Sequence, residues 1–301
     1  MPKQPLSLWP YLALVLNALV WGTSWWPLRT LNELGLHALW ASSATYLLGS
    51  AALVLFRPST LREVLATPAL WLLALAAGTT MVGFNWGITI ADVIRVVLLF
   101  YLMPVWAVLL ARWVLNEAIT VKSIIRIALA LLGATLVLSP EGQVAFPVPS
   151  ALGEWLGLMG GAAFALNNVL LRHQQSSSAQ ARLLGMFLGG AVVPAVVALA
   201  LGVLAFTGSG IPVPAFPGWL GVAVLAGFAV ALLVANYGLQ FGASRLPANV
   251  TSVVMLSEVV FATASAVLFA NEVLTGQVAI GGMLIMGAAI LAAWDDQSGA
   301  H

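Results

Sequence analysis

The sequence predicts an all-α integral membrane protein: ten transmembrane helices, arranged as two five-helix inverted repeats around a central cavity. Three observations predict it. The composition is too apolar for a soluble surface. The apolar residues gather into runs long enough to cross a bilayer as helices. Short motifs recur in the same order in the two halves of the chain.

Of 301 residues, 61% are hydrophobic and 7% charged, against roughly 25% charged in soluble domains. The mean hydropathy is +1.03. Eleven basic and ten acidic side chains cannot clothe a 31.5 kDa chain in water. That excludes a soluble enzyme, a nucleic-acid binder and a disordered protein. The absence of cysteine excludes disulfides, thiolate metal sites and cysteine nucleophiles.

A membrane-crossing helix needs about 20 mostly apolar residues. Such runs lie at 9–31, 36–56, 68–90, 94–115, 121–139, 151–171, 181–206, 217–241, 247–270 and 276–294. They are apolar all round, whereas barrel strands alternate with a period of two over about 10 residues. The first run is too long for a signal peptide and carries Trp21, Trp25 and Trp26 where small residues would be expected. Pro27, Pro104 and Pro194 fall inside spans, where a missing N–H predicts kinks. Gly157-Gly161, Gly185-Gly189 and Gly238-Gly242 are spaced for close helix approach.

The longest polar gap, with Pro140, Pro147 and Pro149, divides the chain into 1–140, a divider at 141–149, and 150–301. With the N-terminus inside, Lys3, Arg57, Arg62, Arg112, Lys122, Arg126, Arg172, Arg182 and Arg245 fall on the cytoplasmic side, and only Arg29 and Arg95 outside. This bias predicts both termini in the cytoplasm.

Asn85-Trp86-Gly87-Ile88 in span 3 matches Asn236-Tyr237-Gly238-Leu239 in span 8. Asn116-Glu117-Ala118-Ile119-Thr120 after span 4 matches Asn271-Glu272-Val273-Leu274-Thr275 after span 9. Trp21 and Arg29 align with Phe164 and Arg172 at equal spacing. Five spans is an odd number, so the second copy enters the membrane upside down. Inverted repeats are the architecture of transporters whose site lies at the midplane between the copies.

Ten spans, Trp21-Gly22 in span 1, and Asn-Glu-x-[Ile/Leu]-Thr closing spans 4 and 9 resemble the drug/metabolite transporter superfamily, and within it the EamA-type exporters. Pro104 in Leu102-Met103-Pro104-Val105-Trp106 fits that pattern; Val259, its counterpart in span 9, departs from it. The resemblance covers nearly the whole chain and is greatest to bacterial aromatic amino acid exporters. It implies export of aromatic amino acids and related metabolites across the bacterial inner membrane, with no cofactor.

Within the spans, Glu258 is the one clearly deep charge. A deep ionisable group is a functional candidate by default: a proton relay, a site for a substrate ammonium, or a hydrogen-bonded tie between helices. Asn17, Asn85, Asn167, Asn168, Asn236 and Asn249 offer amide donors and acceptors to a substrate, or serve as ordinary helix–helix glue. Trp21 and Trp25, one turn apart with Ser24 beside them, join Trp86, Trp106, Tyr101 and Tyr237 as candidates to line a cavity for a flat ligand. Met81 adds an adaptable contact. Glu117 and Glu272 read as acceptors for backbone donors in tight turns, with Thr120 and Thr275 capping the next helix.

These residues point to a secondary exporter of aromatic amino acids working by alternating access. The alternative is an exporter of drugs or lipophilic cations that uses Glu258 as a proton or cation site. Sugar-phosphate and nucleotide-sugar transport want basic residues in the cavity, and the basic residues lie at span ends. No Walker loop, metalloprotease motif or channel filter is present. The partners are a small-molecule substrate and membrane lipid, not nucleic acid, and one chain suffices as the transport unit.

Overall fold

A computed structural model describes residues 8–114, 119–140, 148–174, 177–204, 210–246 and 248–298. Glu117, the 141–147 part of the divider and the side chains of Arg172, Asn249 and Trp294 lie outside the described set. Helices make up most of the described residues, with no strand among them. Their order is α1 (Trp9–Gly22), α2 (Trp25–Glu33), α3 (Ala38–Phe56), α4 (Ser59–Ala66), α5 (Pro68–Ile90), α6 (Val93–Phe100) and α7 (Met103–Val114). There follow α8 (Val121–Leu138), α9 (Leu152–His173), α10 (Ala179–Leu204), α11 (Gly218–Ala243), α12 (Ala248–Met255), α13 (Ser257–Phe269) and α14 (Gly276–Ser298).

Six of these segments are long and apolar enough to cross a membrane, and the chain is a multi-pass membrane protein. Exposed stripes such as Ile124, Ile125, Leu131 and Leu132 on α8, and Val192, Val196, Leu199 and Val203 on α10, face outward as lipid-contacting surfaces do. Each expected run holds either one helix or a pair broken near its middle. The short α4 was not expected; it lies between α3 and α5, and the Trp71 indole donates to its Val64 carbonyl at 3.0 Å.

Helix starts follow the caps available. Asp92 accepts from the Arg95 amide at 3.0 Å, Thr120 from Ser123 at 3.2 Å, and Thr275 from Val278 at 3.3 Å. The break between α1 and α2 falls at Thr23 and Ser24 because Pro27 has no N–H for the Thr23 carbonyl and its ring crowds that group. The hydroxyls of Thr23 and Ser24 donate back to Leu19 and Trp21 carbonyls at 2.8 and 2.7 Å. Pro194 behaves differently: it sits inside an unbroken α10, where it removes one backbone bond.

The core centres on α6, buried along its whole length. α5 packs on α9 and α10, α11 on α1 and α3, α10 on α3, and α14 on α8. Glycines set the closest approaches. A Cβ on Gly238 or Gly242 would lie within 2.9 Å of the Ala13 or Pro10 carbonyl of α1. One on Gly157 would lie 2.9 Å from the Val96 carbonyl of α6.

Candidate functional site

Two broken helices meet at the centre of the molecule. Between α6 and α7 the chain makes a tight turn at Tyr101 and Leu102, with Leu102 N–H donating to Leu99 and Val105 N–H to Leu102, at 3.1 and 2.9 Å. Pro104 explains it, since no N–H reaches back to Phe100. Between α12 and α13 the turn falls at Leu256 without a proline, and the Ser257 hydroxyl takes the Val254 carbonyl at 2.6 Å. Tyr101 sits in the first break and Glu258 just past the second. The Tyr101 hydroxyl donates to Glu258 Oε2 at 3.0 Å, with the two residues 4% and 8% exposed.

Both border a cavity of about 330 Å³, within the roughly 300–1,000 Å³ of small-molecule sites. Its walls are largely aromatic. Trp21 meets Phe84 edge-on at 6.3 Å between ring centroids, Phe84 meets Phe100 at 4.9 Å, and Phe100 meets Phe164 at 5.4 Å. Tyr46 and Phe187 form a second edge-on pair at 5.2 Å. Such contacts fix ring orientation. Met81, Met103, Met186 and Met255 fill in between.

The polar lining is sparse. Asn17 is fully buried, and neither its amide nitrogen nor its oxygen has a partner among the described residues. Asn167 Oδ1 and Thr251 Oγ1 are likewise buried without partners. Thr80 and Asn236 satisfy themselves on carbonyls of their own helices, Ala76 at 2.9 Å and Leu232 at 2.8 Å. Asn168 is exposed to the cavity. Among the described residues no arginine, lysine or histidine lines it. A buried polar atom without a partner costs of order 1–3 kcal/mol, so this arrangement suits a ligand that brings the missing groups.

The cavity runs from the middle of the helices toward one end. Its lining residues fall in the first third of α10 (Met186, Phe187), the last third of α11 (Asn236, Leu239) and on α12 (Thr251, Met255). That end carries Arg182 and Arg245. The opposite end is tied shut. Glu272, in the turn between α13 and α14, accepts from the Val93 and Ile94 amides at 2.9 and 3.1 Å and from Arg29 at 3.2 Å. Arg29 also donates to the Ile88 and Ala91 carbonyls at 3.0 and 2.7 Å and lies over the Trp25 ring at 5.2 Å. Burial pushes the Glu272 carboxyl pKa up, against the two amides that draw it down. Arg95 pairs with Glu154 at 3.3 Å at the same end.

Of the residues expected from sequence, the structure places Trp21, Met81, Tyr101, Asn167, Asn168, Asn236 and Glu258 on the cavity wall. The others lie elsewhere. Ser24 is spent on the α1 break. The Trp25 indole donates to Ser265 at 2.9 Å between helices. Asn85 donates to Ser42 at 3.0 Å, tying α5 to α3. Trp86 packs edge-on against His37 at 5.5 Å. Trp106 holds its indole N–H buried away from the cavity. Tyr237 is 55% exposed on the outside of α11. Glu272 caps α6 rather than its own turn. Asn17, an amide one turn before Trp21, also lines the cavity. The wall residues that sequence reasoning left out are mainly phenylalanines, Tyr46 and Thr251.

The geometry is that of a multi-pass membrane protein with a ligand-sized chamber at two helix breaks. Residues 8–139 match the profile of the EamA-like transporter family. A solved crystal structure has the same fold, with a TM-score of 0.59 over 94% of this chain and 95% of that one, at 19% identity. No curated protein matches the sequence.

Proposed function

We propose that the chain is a secondary transporter exporting aromatic amino acids and related metabolites by alternating access, its two five-helix repeats rocking about the cavity. The observation that carries this is the chamber built at the α6–α7 and α12–α13 breaks, since discontinuous helices at the midplane form the sites of such transporters. The Tyr101 and Leu256 breaks precede Asn116 and Asn271 by the same number of residues, which supports the inverted repeat. So does the packing. Exchanging α1–α2 with α9, α3 with α10, α5 with α11, α6–α7 with α12–α13 and α8 with α14 maps the α5–α9 contact onto α11–α1, and α5–α10 onto α11–α3. The family match ends at Ser139, which supports the division near residue 140.

With the basic end in the cytoplasm of a bacterial inner membrane, the chamber loads from inside while the Arg29–Glu272 end is closed. The ring-lined walls suit an indole or phenyl group, and the absence of basic residues among the described lining disfavours phosphorylated cargo. Exchange of labelled tryptophan in proteoliposomes tests the assignment. Saturable counterflow, inhibited by phenylalanine and tyrosine, is expected; no tryptophan movement from a folded protein overturns it.

A second reading is favoured by one observation, that Glu258 is the sole charged residue on the wall among the described residues. It makes the protein an exporter of drugs or lipophilic cations with Glu258 as proton or cation site. Glu258→Gln separates the two: unchanged flux and pH dependence removes the relay.

A further inference from the structure

We propose that the chamber reads the ammonium group of its ligand and has no counter-charge for a carboxylate, so that aromatic amines are preferred to the matching amino acids, and aromatic acids are rejected. The inference rests on the chamber being the transport site.

Among the described residues the wall holds one formal charge, the Glu258 carboxyl, and no cation. Tyr101 occupies Oε2; Oε1 receives no hydrogen bond among the described residues. The buried oxygens of Asn17 and Asn167 are also without donors. An ammonium is a cation with three donors and no acceptor. It supplies what these three oxygens lack and neutralises the one buried charge. Among the described residues a substrate carboxylate finds neutral donors, such as the Asn17 and Asn168 amides and the Thr251 hydroxyl, and must approach a wall whose one charge is of its own sign. Like-signed charges in a low-dielectric chamber repel more strongly than in water.

The groups are brought together by close packing. A Cβ on Gly22 would lie 2.7 Å from the Glu258 backbone oxygen, so α1 and α13 touch there. Trp21 precedes Gly22, and Asn17 lies one turn earlier on the same helix and the same chamber. The amide and carboxyl groups therefore share one chamber with the aromatic wall, so a ligand carrying both an ammonium and a ring can meet both.

Three labelled indoles test the charge preference on the purified full chain in lipid nanodiscs: tryptamine, tryptophan and indole-3-propionate. Tryptamine should bind at least about tenfold more tightly than tryptophan, a gap of one decade in Kd, and indole-3-propionate should not bind. Glu258→Gln should abolish the preference for tryptamine, and Tyr101→Phe should leave its order intact. Equal binding of tryptamine and indole-3-propionate, or an unchanged preference in Glu258→Gln, overturns the proposal. If no indole binds, the aromatic reading of the transport site falls by itself. Hexylamine against hexanoate then decides the charge preference: Glu258-dependent binding of hexylamine alone upholds it, and any other result overturns it.

Discussion

Glu272 reaches from the α13–α14 turn to Arg29 on α2 at 3.2 Å, while the same carboxylate receives the first two amides of α6. One side chain thus joins three elements drawn from both halves of the chain. The arrangement is favourable twice over, because an anion at a helix N-terminus also meets the positive end of the helix dipole. Arg29 is partly exposed, which moderates the value of the pair.

Glu272→Ala should loosen the closed end. The chain has no cysteine, so a thiol introduced at Ile94, which is buried beneath the clamp, is the only one present. Its backbone amide, the clamp donor, is untouched by the change. Loss of the clamp, worth about 1.5–3 kcal/mol for hydrogen bonds to a charged group, should speed labelling of Ile94→Cys by a membrane-impermeant maleimide at least about tenfold. Equal labelling with and without Glu272 would show that the clamp does not control access.

Asn85 and Asn167 are both amides buried in helices, but only one of them should matter to a ligand. Asn85 binds Ser42 of α3 and is off the wall. Asn85→Ala should lower thermal stability, by about 1 kcal/mol for an interhelical polar bond in a membrane, and leave ligand affinity alone. Asn167 borders the chamber with an unpaired oxygen. Asn167→Ala should weaken ligand binding while leaving stability unchanged. The same pattern of loss in both variants would remove Asn167 from the site.

That contrast shows what the sequence made legible. Span ends were readable because charges and caps, such as Asp92 and Thr120, mark where backbone groups leave the membrane core. The α6–α7 break was signalled by Pro104. The α12–α13 break was not, because Val259 stands where the proline would be and nothing local announces the turn at Leu256. Which face of a helix looks inward was hardest to read. Helices apolar on every side carry no amphipathic stripe, so one residue of rotation along α5 separates Asn85, turned to Ser42 of α3, from Phe84, on the wall. The same blindness shifted the aromatic wall from tryptophans to Phe84, Phe100, Phe164 and Phe187, which in sequence look like core or lipid contacts.

Glycine positions give a paired test of the packing. A Cβ on Gly189 of α10 would collide with the Ala74 backbone of α5, whereas one on Gly227 of α11 meets nothing within 4 Å. Backbone cannot move aside as a side-chain tip can. Gly189→Ala should therefore cost about 1–3 kcal/mol through overpacking, seen as a lower melting temperature in detergent. Gly227→Ala should be neutral or raise it, since alanine favours a helix over glycine by about 1 kcal/mol. Reversal of that order would show that α5 and α10 do not approach as closely as described.

Glu63 on α4 makes the last prediction, and it concerns pH. Its carboxylate accepts from the Ser178 amide at 2.8 Å and the Ser178 hydroxyl at 2.7 Å, tying α4 to the start of α10. Those bonds, the hydroxyl's first, hold the carboxyl pKa below its ordinary value of 4.5. Bonds to the charged form stabilise the fold while that form persists. The contribution is complete above the unfolded pKa and disappears as pH falls through the lowered folded value. Glu63→Gln keeps the shape and removes the titration. Melting temperatures of the two proteins should differ by a constant amount above about pH 5, the upper edge of ordinary glutamate titration. The gap should then close as the solution is acidified below the ordinary pKa. A gap that widens on acidification, or stays constant throughout, would show that the Ser178 contact does not depend on the Glu63 charge.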